Sequence, residues 1–321
     1  MIIDGCGRHI TYLRVSLTDK CNLRCKYCVP PEGVKMLDHA DILTHEEMLR
    51  IISILVSLGV KKVRFTGGEP LVRKGAMNLI RNVSLLQGPP KMCLTTNGVM
   101  LAAYLPELLD AGVRDINISL DTLRGFVYEK ITGSAELTNV LKAVDACYDA
   151  GVNLKINAVP LKGINEEDIP ELAALARDRK IDVRFIELMP IGCASCCEGI
   201  SNAEVKTMLT SVYGDCVSSE DGNAGGPAEY VSFEGFKGRV GFISPMTHAF
   251  CSGCNRIRLT CDGMLKLCLA SPECLDVKTL IRSGKTDDQI AEEVNLCIMK
   301  KLNIDRCPAD LATGFSVPLS G

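Results

Sequence analysis

Three cysteines lie close together, directly after a short apolar run. Cys21, Cys25 and Cys28 follow the spacing C-x3-C-x2-C. A structural zinc site usually takes four ligands, whereas a [4Fe–4S] cluster held by three thiolates leaves one iron open to an outside ligand. This group, called here the first thiol set, therefore predicts an iron–sulfur site whose open iron does chemistry. The alternative is a set of core or zinc-binding cysteines.

A second cysteine group lies far along the chain. Cys251 and Cys254 form a C-x2-C pair, and the candidates for a third ligand are Cys261, Cys268 and Cys274. Spacing alone does not choose among those three. The pair is therefore the start of a second, incomplete set of thiolates.

The segment Thr66-Gly67-Gly68-Glu69-Pro70 follows another apolar run. Glycine lets a ligand approach the backbone where any Cβ would block it, so this segment is a candidate for ligand binding. An ordinary turn between a strand and a helix also uses glycine pairs. The turn alone does not decide between these interpretations.

Basic side chains are embedded in the apolar runs or lie beside the second cysteine group. Lysine and arginine usually lie on solvated surfaces, which fits poorly with strands that are buried in a fold. Guanidinium and ammonium groups that converge can bind an anion of several charges. No G-x4-G-K-[ST] sequence is present, so a P-loop GTPase is not supported. The residues concerned are Arg14, Arg64, Lys155, Arg256 and Arg258.

The composition excludes several classes of protein. Lysine and arginine number 36 against 39 aspartates and glutamates, a formal net charge of −3, so we expect no nucleic-acid partner. No run of about 18 apolar residues is present, which predicts no membrane span. The N-terminus lacks a signal-peptide pattern and many of the 17 cysteines cluster at ligand spacing, so we expect a cytoplasmic protein with metal–sulfur chemistry. The oligomeric state, including a homodimer, stays open.

Strands and helices alternate strictly up to about residue 188. This alternation predicts an α/β fold with a parallel sheet, curled into a partial barrel or opened as a doubly wound fold. Ligands bind at the carboxyl ends of such strands, where polar or glycine-bearing segments recur in this chain. The predicted strands are Leu13–Leu17, Lys62–Thr66, Met92–Thr96, Asp115–Leu120, Leu154–Val159 and Val183–Leu188, and the helices between them run from about Thr44 to Leu58, Lys74 to Leu86, Leu101 to Ala111, Leu137 to Ala150 and Glu166 to Arg179.

The alternation ends at Gly192. A loop follows, and then a helix is predicted around Asn202 to Tyr213. Two short β-like runs, Tyr230–Phe233 and Val240–Ile243, precede the second cysteine group. A helical tail is predicted from about Leu275 to Leu302.

The first thiol set and the Gly-Gly-Glu-Pro turn together resemble the radical S-adenosylmethionine (SAM) superfamily. The resemblance implies a [4Fe–4S] cluster on Cys21, Cys25 and Cys28 whose open iron binds SAM. The reduced cluster would cleave SAM to methionine and a 5'-deoxyadenosyl radical. The implied SAM contacts are Tyr27, Gly68, Glu69, Ser119 and Met189.

The second cysteine group, with Asn255-Arg256-Ile257-Arg258 behind the pair, is similar to the GTP 3',8-cyclase family of molybdenum-cofactor biosynthesis. The likeness runs from Gly7 to about Leu269 and selects Cys268 as the third ligand. It implies a second [4Fe–4S] cluster on Cys251, Cys254 and Cys268, the second thiol set, whose open iron binds the purine of GTP. The implied GTP contacts are Arg14, Arg64, Thr95, Lys155, Arg256, Ile257 and Arg258, of which Arg14, Arg256 and Arg258 join the first thiol set in catalysis.

The same resemblance implies a fold and a lyase reaction. The fold is a partial (βα)6 TIM-like barrel over residues 1–230, with a small C-terminal iron–sulfur region over 231–321 that closes the barrel mouth. The two clusters are expected to face each other across that mouth, with Arg14, Lys155, Arg256 and Arg258 between them. In the implied reaction the deoxyadenosyl radical abstracts hydrogen from C3' of GTP and the C3' radical attacks C8. One-electron reduction and protonation of the resulting radical then give 3',8-cyclo-7,8-dihydro-GTP. An electron donor is needed to reduce the cluster.

Two features depart from this family pattern. Its members usually end in Gly-Gly, whereas this sequence ends Val317-Pro318-Leu319-Ser320-Gly321. We therefore expect cluster binding to survive, and turnover either to be incomplete or to depend on another group in place of the tail. Cys193, Cys196 and Cys197 are also unusual for the family, and we interpret them as incidental thiols instead of a third metal site.

Two other interpretations compete with the cyclase. A radical SAM enzyme that modifies a peptide or small molecule, with an auxiliary cluster, keeps the first thiol set but gives the basic residues no task. An iron–sulfur or zinc protein that only binds or transfers electrons leaves the Gly-Gly turn and the open site unexplained.

Overall fold

The computed structural model describes residues 1–30, 36–190, 193–219, 226–247, 251–269 and 273–301. The ending 317–321, on which the prediction about turnover depends, lies outside these described residues. The described strands are β1 (Tyr12–Ser16), β2 (Lys62–Thr66), β3 (Lys91–Thr96), β4 (Asp115–Ser119), β5 (Asn153–Ala158), β6 (Asp182–Ile186), β7 (Cys216–Ser218), β8 (Glu229–Phe233), β9 (Arg239–Ile243), β10 (Arg256–Leu259), β11 (Met264–Lys266) and β12 (Cys274–Asp276).

All of these strands join one sheet in the order β12-β11-β10-β1-β2-β3-β4-β5-β6-β9-β8-β7. β1 to β6 are parallel in sequence order, which confirms the predicted βα core. The order is linear, so the described strands form an open partial barrel. β10 pairs in parallel with β1, and β9 pairs in parallel with β6.

The C-terminal part of the chain thus adds strands to both edges of the core sheet. The prediction of short β-runs before the second cysteine group is confirmed by β8 and β9. β10, which carries Arg256 and Arg258, was not predicted as a strand. The predicted domain boundary between residues 230 and 231 falls within β8 and stays a prediction.

The helices cover the outer face of the sheet. The helix predicted from about Thr44 to Leu58 is confirmed as α1 (His45–Ser57). Thr44 and Glu47 form its capping box, and Gly59 after it is in the left-handed region at φ +116°. α4 was missed. The predicted single helical tail is wrong, because a turn at Gly284 and a capping box at Thr286 divide it into two helices preceded by β12. The helices are α1 (His45–Ser57), α2 (Ala76–Ser84), α3 (Leu101–Asp110), α4 (Gly125–Thr132), α5 (Leu137–Asp149), α6 (Ile169–Asp178), α7 (Asn202–Tyr213), α8 (Val277–Arg282) and α9 (Asp287–Met299).

The two faces of the sheet differ in chemistry because alternate residues of a strand point to opposite sides. Apolar residues such as Leu13, Val63 and Phe185 pack with the helices in the main core. Burying each such side chain stabilises the fold by about 1.5–3 kcal/mol. The alternate residues, including Arg14 and Arg64, lie on the opposite side, called here the inner face. The helices therefore hold the sheet in place and leave the inner face to polar groups.

Within the part of the chain that the structure describes, no helix is both long and apolar enough to cross a membrane.

Candidate active site

The first thiol set lies in the loop after β1 and is held by backbone contacts to α4. Arg24 N donates to the carbonyl of Thr132 at 2.8 Å, and Lys26 N donates to that of Ile131 at 3.0 Å. The last carbonyls of a helix have no partner within the helix. The cysteine loop supplies those partners, so the helix that was missed from the sequence is the one that fixes this loop.

The three thiols of the set are close enough to affect one another. Burial raises the pKa of Cys25 well above its usual value, and Asp121 and the other two thiols of the set add to the increase. Cys21 Sγ accepts a hydrogen bond from the Leu23 N–H at 3.4 Å. Three partly buried thiols that lie this close ionise together more readily when a cation neutralises them, as a metal cluster does.

The Gly-Gly turn after β2 packs against the backbone that leads into the first thiol set. A Cβ on Gly68 would stand 2.4 Å from the carbonyl oxygen of Lys20, and one on Gly67 would stand 2.8 Å from that of Thr18. Gly68 N donates to Thr18 O at 2.7 Å. Glycine is therefore required here for the approach of the chain's own backbone.

Glu69 of the same turn is buried and forms hydrogen bonds with residues at the end of β3. Its carboxylate accepts hydrogen bonds from Thr96 Oγ1 at 2.8 Å, Asn97 N at 2.7 Å and Leu71 N at 3.1 Å. Burial raises its pKa to about 7. These contacts give the carboxylate a structural role, and its contact with SAM stays a prediction.

The other predicted SAM contacts lie at the carboxyl ends of strands, near the same edge. Ser119 ends β4, and Met189 follows β6. The Tyr27 hydroxyl donates a hydrogen bond to Asp121 Oδ2 at 2.8 Å, and the Val159 N–H donates one to Asp121 Oδ1 at 2.8 Å. Burial raises the pKa of Asp121 to about 6. Asp121, which the sequence argument missed, thus ties the cysteine loop to the end of β5.

A row of three arginines crosses the inner face. Arg258, Arg14 and Arg64 are in register on β10, β1 and β2. Arg64 is 5% exposed and donates to Tyr12 Oη at 2.8 Å. Burial lowers the pKa of Arg14 well below its usual value and Arg258 lowers it further, while Arg14 Nε has no hydrogen-bond partner among the described residues. Buried like charges are unfavourable unless an anion compensates them, so this arginine row is a candidate anion site.

Ile257 lies between two of the predicted contact residues but faces the other way. Its side chain is fully buried in the main core, on the helix side of β10. Only its backbone is available to a ligand on the inner face, and its contact with GTP stays a prediction.

Lys155 belongs to a second row on the inner face. Thr95, Asn117, Lys155 and Asp182 are in register on neighbouring strands. The Lys155 ammonium forms an ion pair with Asp182. The same carboxylate forms a second ion pair with Arg239 Nη2 at 2.8 Å. Lys155 thus has a carboxylate partner, which it shares with Arg239.

Arg184 on β6 is a further cation of the inner face, which was not among the predicted site residues. Its Nε donates to Asn157 Oδ1 at 2.9 Å. Burial lowers its pKa, and Arg64 on β2 lowers it further. Arg184 and Arg64 are thus cations of the same face that act on each other electrostatically.

The second thiol set lies beside the arginine row. Cys254 N donates to Cys251 O at 3.1 Å, and Cys254 precedes β10. Burial raises the pKa of Cys251, and Cys268 and Cys254 add to the increase. Cys261, another candidate third ligand, is instead buried in the main core. The three predicted ligands are thus near one another.

Comparisons with known proteins match two families to successive parts of the chain. The family described as "Radical SAM superfamily" matches residues 15–176, and the one described as "Molybdenum Cofactor Synthesis C" matches residues 181–304. The GTP 3',8-cyclase of Clostridium perfringens (strain 13 / Type A) is 41% identical over 298 residues, which cover 93% of this chain and 92% of that protein. The chain belongs to the GTP 3',8-cyclase family of radical SAM enzymes. The family's member from Brucella ovis is 44% identical over 306 residues, 94% of this chain and 88% of that protein.

A solved structure supports the fold at a greater distance. SuiB of Streptococcus suis, solved bound to S-adenosylmethionine, matches 95% of this chain and 68% of its own with a TM-score of 0.60 and 15% identity. At that identity the likeness concerns the fold alone. The partial barrel expected for the family is therefore present in this chain.

Membership of the radical SAM superfamily implies a [4Fe–4S] cluster and SAM, and the first thiol set fits the cluster. None of its cysteines forms a disulfide, and Cys21 and Cys28 both act on the thiol of Cys25. Among the described residues no group of three or more His, Cys, Asp or Glu side chains is arranged to hold a single metal ion.

Three groups near the thiol sets gave no usable signal in the sequence. Asp121 and Arg8 lie in short polar segments of ordinary composition, and Lys301 lies beyond the end of α9. Each acquires its role only when distant segments come together. Arg184 could have been found, since it is a cation within an apolar strand as Arg14 is.

Proposed function

We propose that this chain converts GTP to 3',8-cyclo-7,8-dihydro-GTP, with two [4Fe–4S] clusters and SAM. The observation that carries the proposal is the arginine row beside the second thiol set. Arg258, Arg14 and Arg64 are in register, and Arg14 Nε has no partner among the described residues. A triphosphate supplies the anionic oxygens that such a row requires.

The two thiol sets would hold the clusters, and SAM bound at the first would supply a carbon-centred radical that takes hydrogen from the ribose. The protein's own contribution is positioning. The inner face would hold the triphosphate through Arg14, Arg64 and Arg258, with Thr95 and Lys155 in the neighbouring row. The second thiol set would hold the purine end of the substrate, and Ile257 would take part through its backbone.

Arg256 lies in register with Tyr12 at the beginning of β10, on the same face as Arg258. Its position next to Cys254 would bring it near the base and the ribose. We assign it, with Arg14 and Arg258, to holding the substrate during ring closure. A fixed pose lets C3' reach C8 and keeps the radical from other reactions.

The reduced state that this chemistry needs fits a cytoplasmic location with an electron donor. None of the cysteines that the structure describes forms a disulfide. Cysteines at ligand spacing stay reduced in reducing compartments.

The test is anaerobic incubation of reduced, reconstituted protein with SAM and GTP that carries deuterium at C3'. We expect 5'-deoxyadenosine that contains deuterium, together with the cyclised nucleotide, both detected by mass spectrometry. ATP deuterated at C3' is the control. Unlabelled 5'-deoxyadenosine at the SAM-only level would reject GTP as the substrate and favour the peptide or small-molecule alternative.

A further inference from the structure

Lys301, just after α9, is a buried lysine whose ammonium lies against the second thiol set. The residue is 4% exposed. Its Nζ donates to the carbonyl of Arg256 at 2.6 Å and to that of Leu267, and it reaches Cys254 Sγ at 3.8 Å. Burying an ammonium is unfavourable unless acceptors or negative charge surround it. Its surroundings here are main-chain carbonyls and ligand sulfur.

The two carbonyls flank two different ligands. Arg256 follows Cys254 by two positions, and Leu267 immediately precedes Cys268. One ammonium therefore joins the β10 segment to the segment after β11. Without it the separation of these two ligands would depend on strand pairing alone.

Arg8 makes a similar contact to the remaining ligand. It donates to the carbonyl of Cys251, and its Nε pairs with Asp4 Oδ2 at 2.7 Å. Asp4 is 2% exposed, and its Oδ1 accepts the Arg8 N–H at 3.0 Å. The N-terminal turn thus fixes Arg8 before it reaches the cysteine. Each ligand of the second thiol set is tied to one of two cations from opposite ends of the chain.

We propose that Lys301, assisted by Arg8, is the positioning residue that pre-forms the second thiol set for its [4Fe–4S] cluster and stabilises the cluster's negative charge. The inference rests on the second cluster of the proposed function. Three thiolates give such a cluster a net negative charge, which increases on reduction. A fixed ammonium nearby favours the reduced form, so it raises the reduction potential of this cluster alone.

The experiment compares Lys301→Met, Lys301→Gln and the control Lys300→Met in anaerobically reconstituted protein. Lys300 is the exposed neighbour at the same helix end. Glutamine keeps hydrogen-bond donors without the charge, whereas methionine removes both. The measurements are iron per chain, the rate of iron loss to a chelator, and the midpoint potential of each cluster from a redox titration followed by electron paramagnetic resonance.

We expect Lys301→Met to lose the second cluster's iron about tenfold faster than wild type, because a charge-assisted contact is removed. Lys301→Gln should retain iron better than the Met variant but show a lower potential for the second cluster. The first cluster and Lys300→Met should match wild type. Wild-type iron retention and potentials in both Lys301 variants would overturn the inference.

Three further outcomes are also decisive. If Lys301→Met does not fold, the potential in Lys301→Gln still tests the charge, and an unchanged value rejects it. Loss of both clusters in Lys301→Gln would mean a general structural role and would reject the inference as well. If wild type itself binds only ~4 iron per chain, and Cys254→Ala binds the same amount, the second cluster of the proposed function fails first.

Discussion

The two thiol sets differ in what surrounds them. The first is held by backbone hydrogen bonds and lies near two buried carboxyls, those of Glu69 and Asp121. The second is held by the cations Arg8 and Lys301 and lies beside the arginine row. Similar ligand sets are therefore placed in surroundings of opposite charge.

The pKa directions express the same contrast. Burial raises the pKa of Cys21, and Glu69 adds to the increase. Burial would also raise the pKa of Cys254, but Lys301 and Arg256 hold it below its usual value. The difference teaches that the second thiol set lies in cationic surroundings, which would suit the proposed anionic substrate, whereas the first lies near buried carboxyls, which would suit the positive sulfonium of SAM.

The largest expected effects come from removing one ligand on each side. Cys25→Ala and Cys254→Ala should each lower iron from ~8 to ~4 per chain and lower cyclised product at least about 1,000-fold. Only Cys25→Ala should also abolish SAM cleavage without GTP. Iron analysis and 5'-deoxyadenosine assays separate the two variants.

Cys274→Ala is the matched control for the cysteine variants. Cys274 is exposed on β12 and was a candidate third ligand by spacing. We expect it to retain wild-type iron. Loss of the second cluster in this variant would contradict the choice of Cys268.

Arg14→Met tests the cationic side. Removing one charge-assisted contact should weaken GTP binding about 10- to 100-fold. It also removes a buried charge that Arg258 and Arg64 repel, so the GTP-free protein should become more stable by about 1 kcal/mol. Equilibrium binding and denaturant unfolding measure the two effects.

The control for this pair of measurements is Arg114→Met, since Arg114 is exposed at the other end of β4. It should leave GTP binding unchanged. Unaltered GTP affinity in Arg14→Met would remove the arginine row from the substrate site.

Glu69→Gln tests the carboxyl on the SAM side. Its folded pKa of about 7 lies above the ordinary value of 4.5, so the folded state binds the proton more tightly. The resulting stability is fully present below the unfolded pKa and is lost as pH rises through about 7. The free energy of unfolding should therefore fall by about 1 kcal/mol from pH 6 to pH 8 because of this group.

Denaturant unfolding of wild type and Glu69→Gln at both pH values measures that difference. The Gln variant should lack this component of the pH dependence. Identical pH dependence in the two proteins would show that Glu69 is not the titrating group.

The smallest effect is expected from Cys196→Ser with Cys197→Ser. Their sulfurs are 3.7 Å apart, and Cys196 Sγ donates to the carbonyl of Lys26, beside the first thiol set, at 3.2 Å. Because these are partly exposed loop thiols, SAM cleavage should stay within about twofold of wild type and iron should be unchanged. Loss of iron from the first thiol set would instead make this loop part of the site.

Much of the fold could be predicted from the sequence, because each βα unit carries its own local pattern. Alternation, the capping box at Thr44 and the glycine at 59 specify elements over a few residues. β10 could not be predicted in this way, since its partner β1 lies at the other end of the chain. The tail was misjudged because the turn at Gly284 interrupts an otherwise helical composition.

The candidate site likewise has features that can be predicted from the sequence and features that cannot. The cysteine spacing and the basic residues in apolar strands can be recognised from short segments. The ion pair of Lys155 with Asp182 and the contacts of Lys301 arise only from sheet register and helix placement. Gly68 shows an intermediate case, because the sequence indicated a close approach but not that the approaching group is the Lys20 carbonyl.

The pairing of β1 with β10 also has a consequence for biosynthesis. Thr11 and Asn255, which bond at this junction, are 244 residues apart. At about 5–20 residues per second, a ribosome needs roughly 10–50 s to produce the second partner after the first. During that interval one edge of β1 is an open template for wrong pairing. Chaperone binding at this edge during synthesis should therefore raise the yield of folded protein.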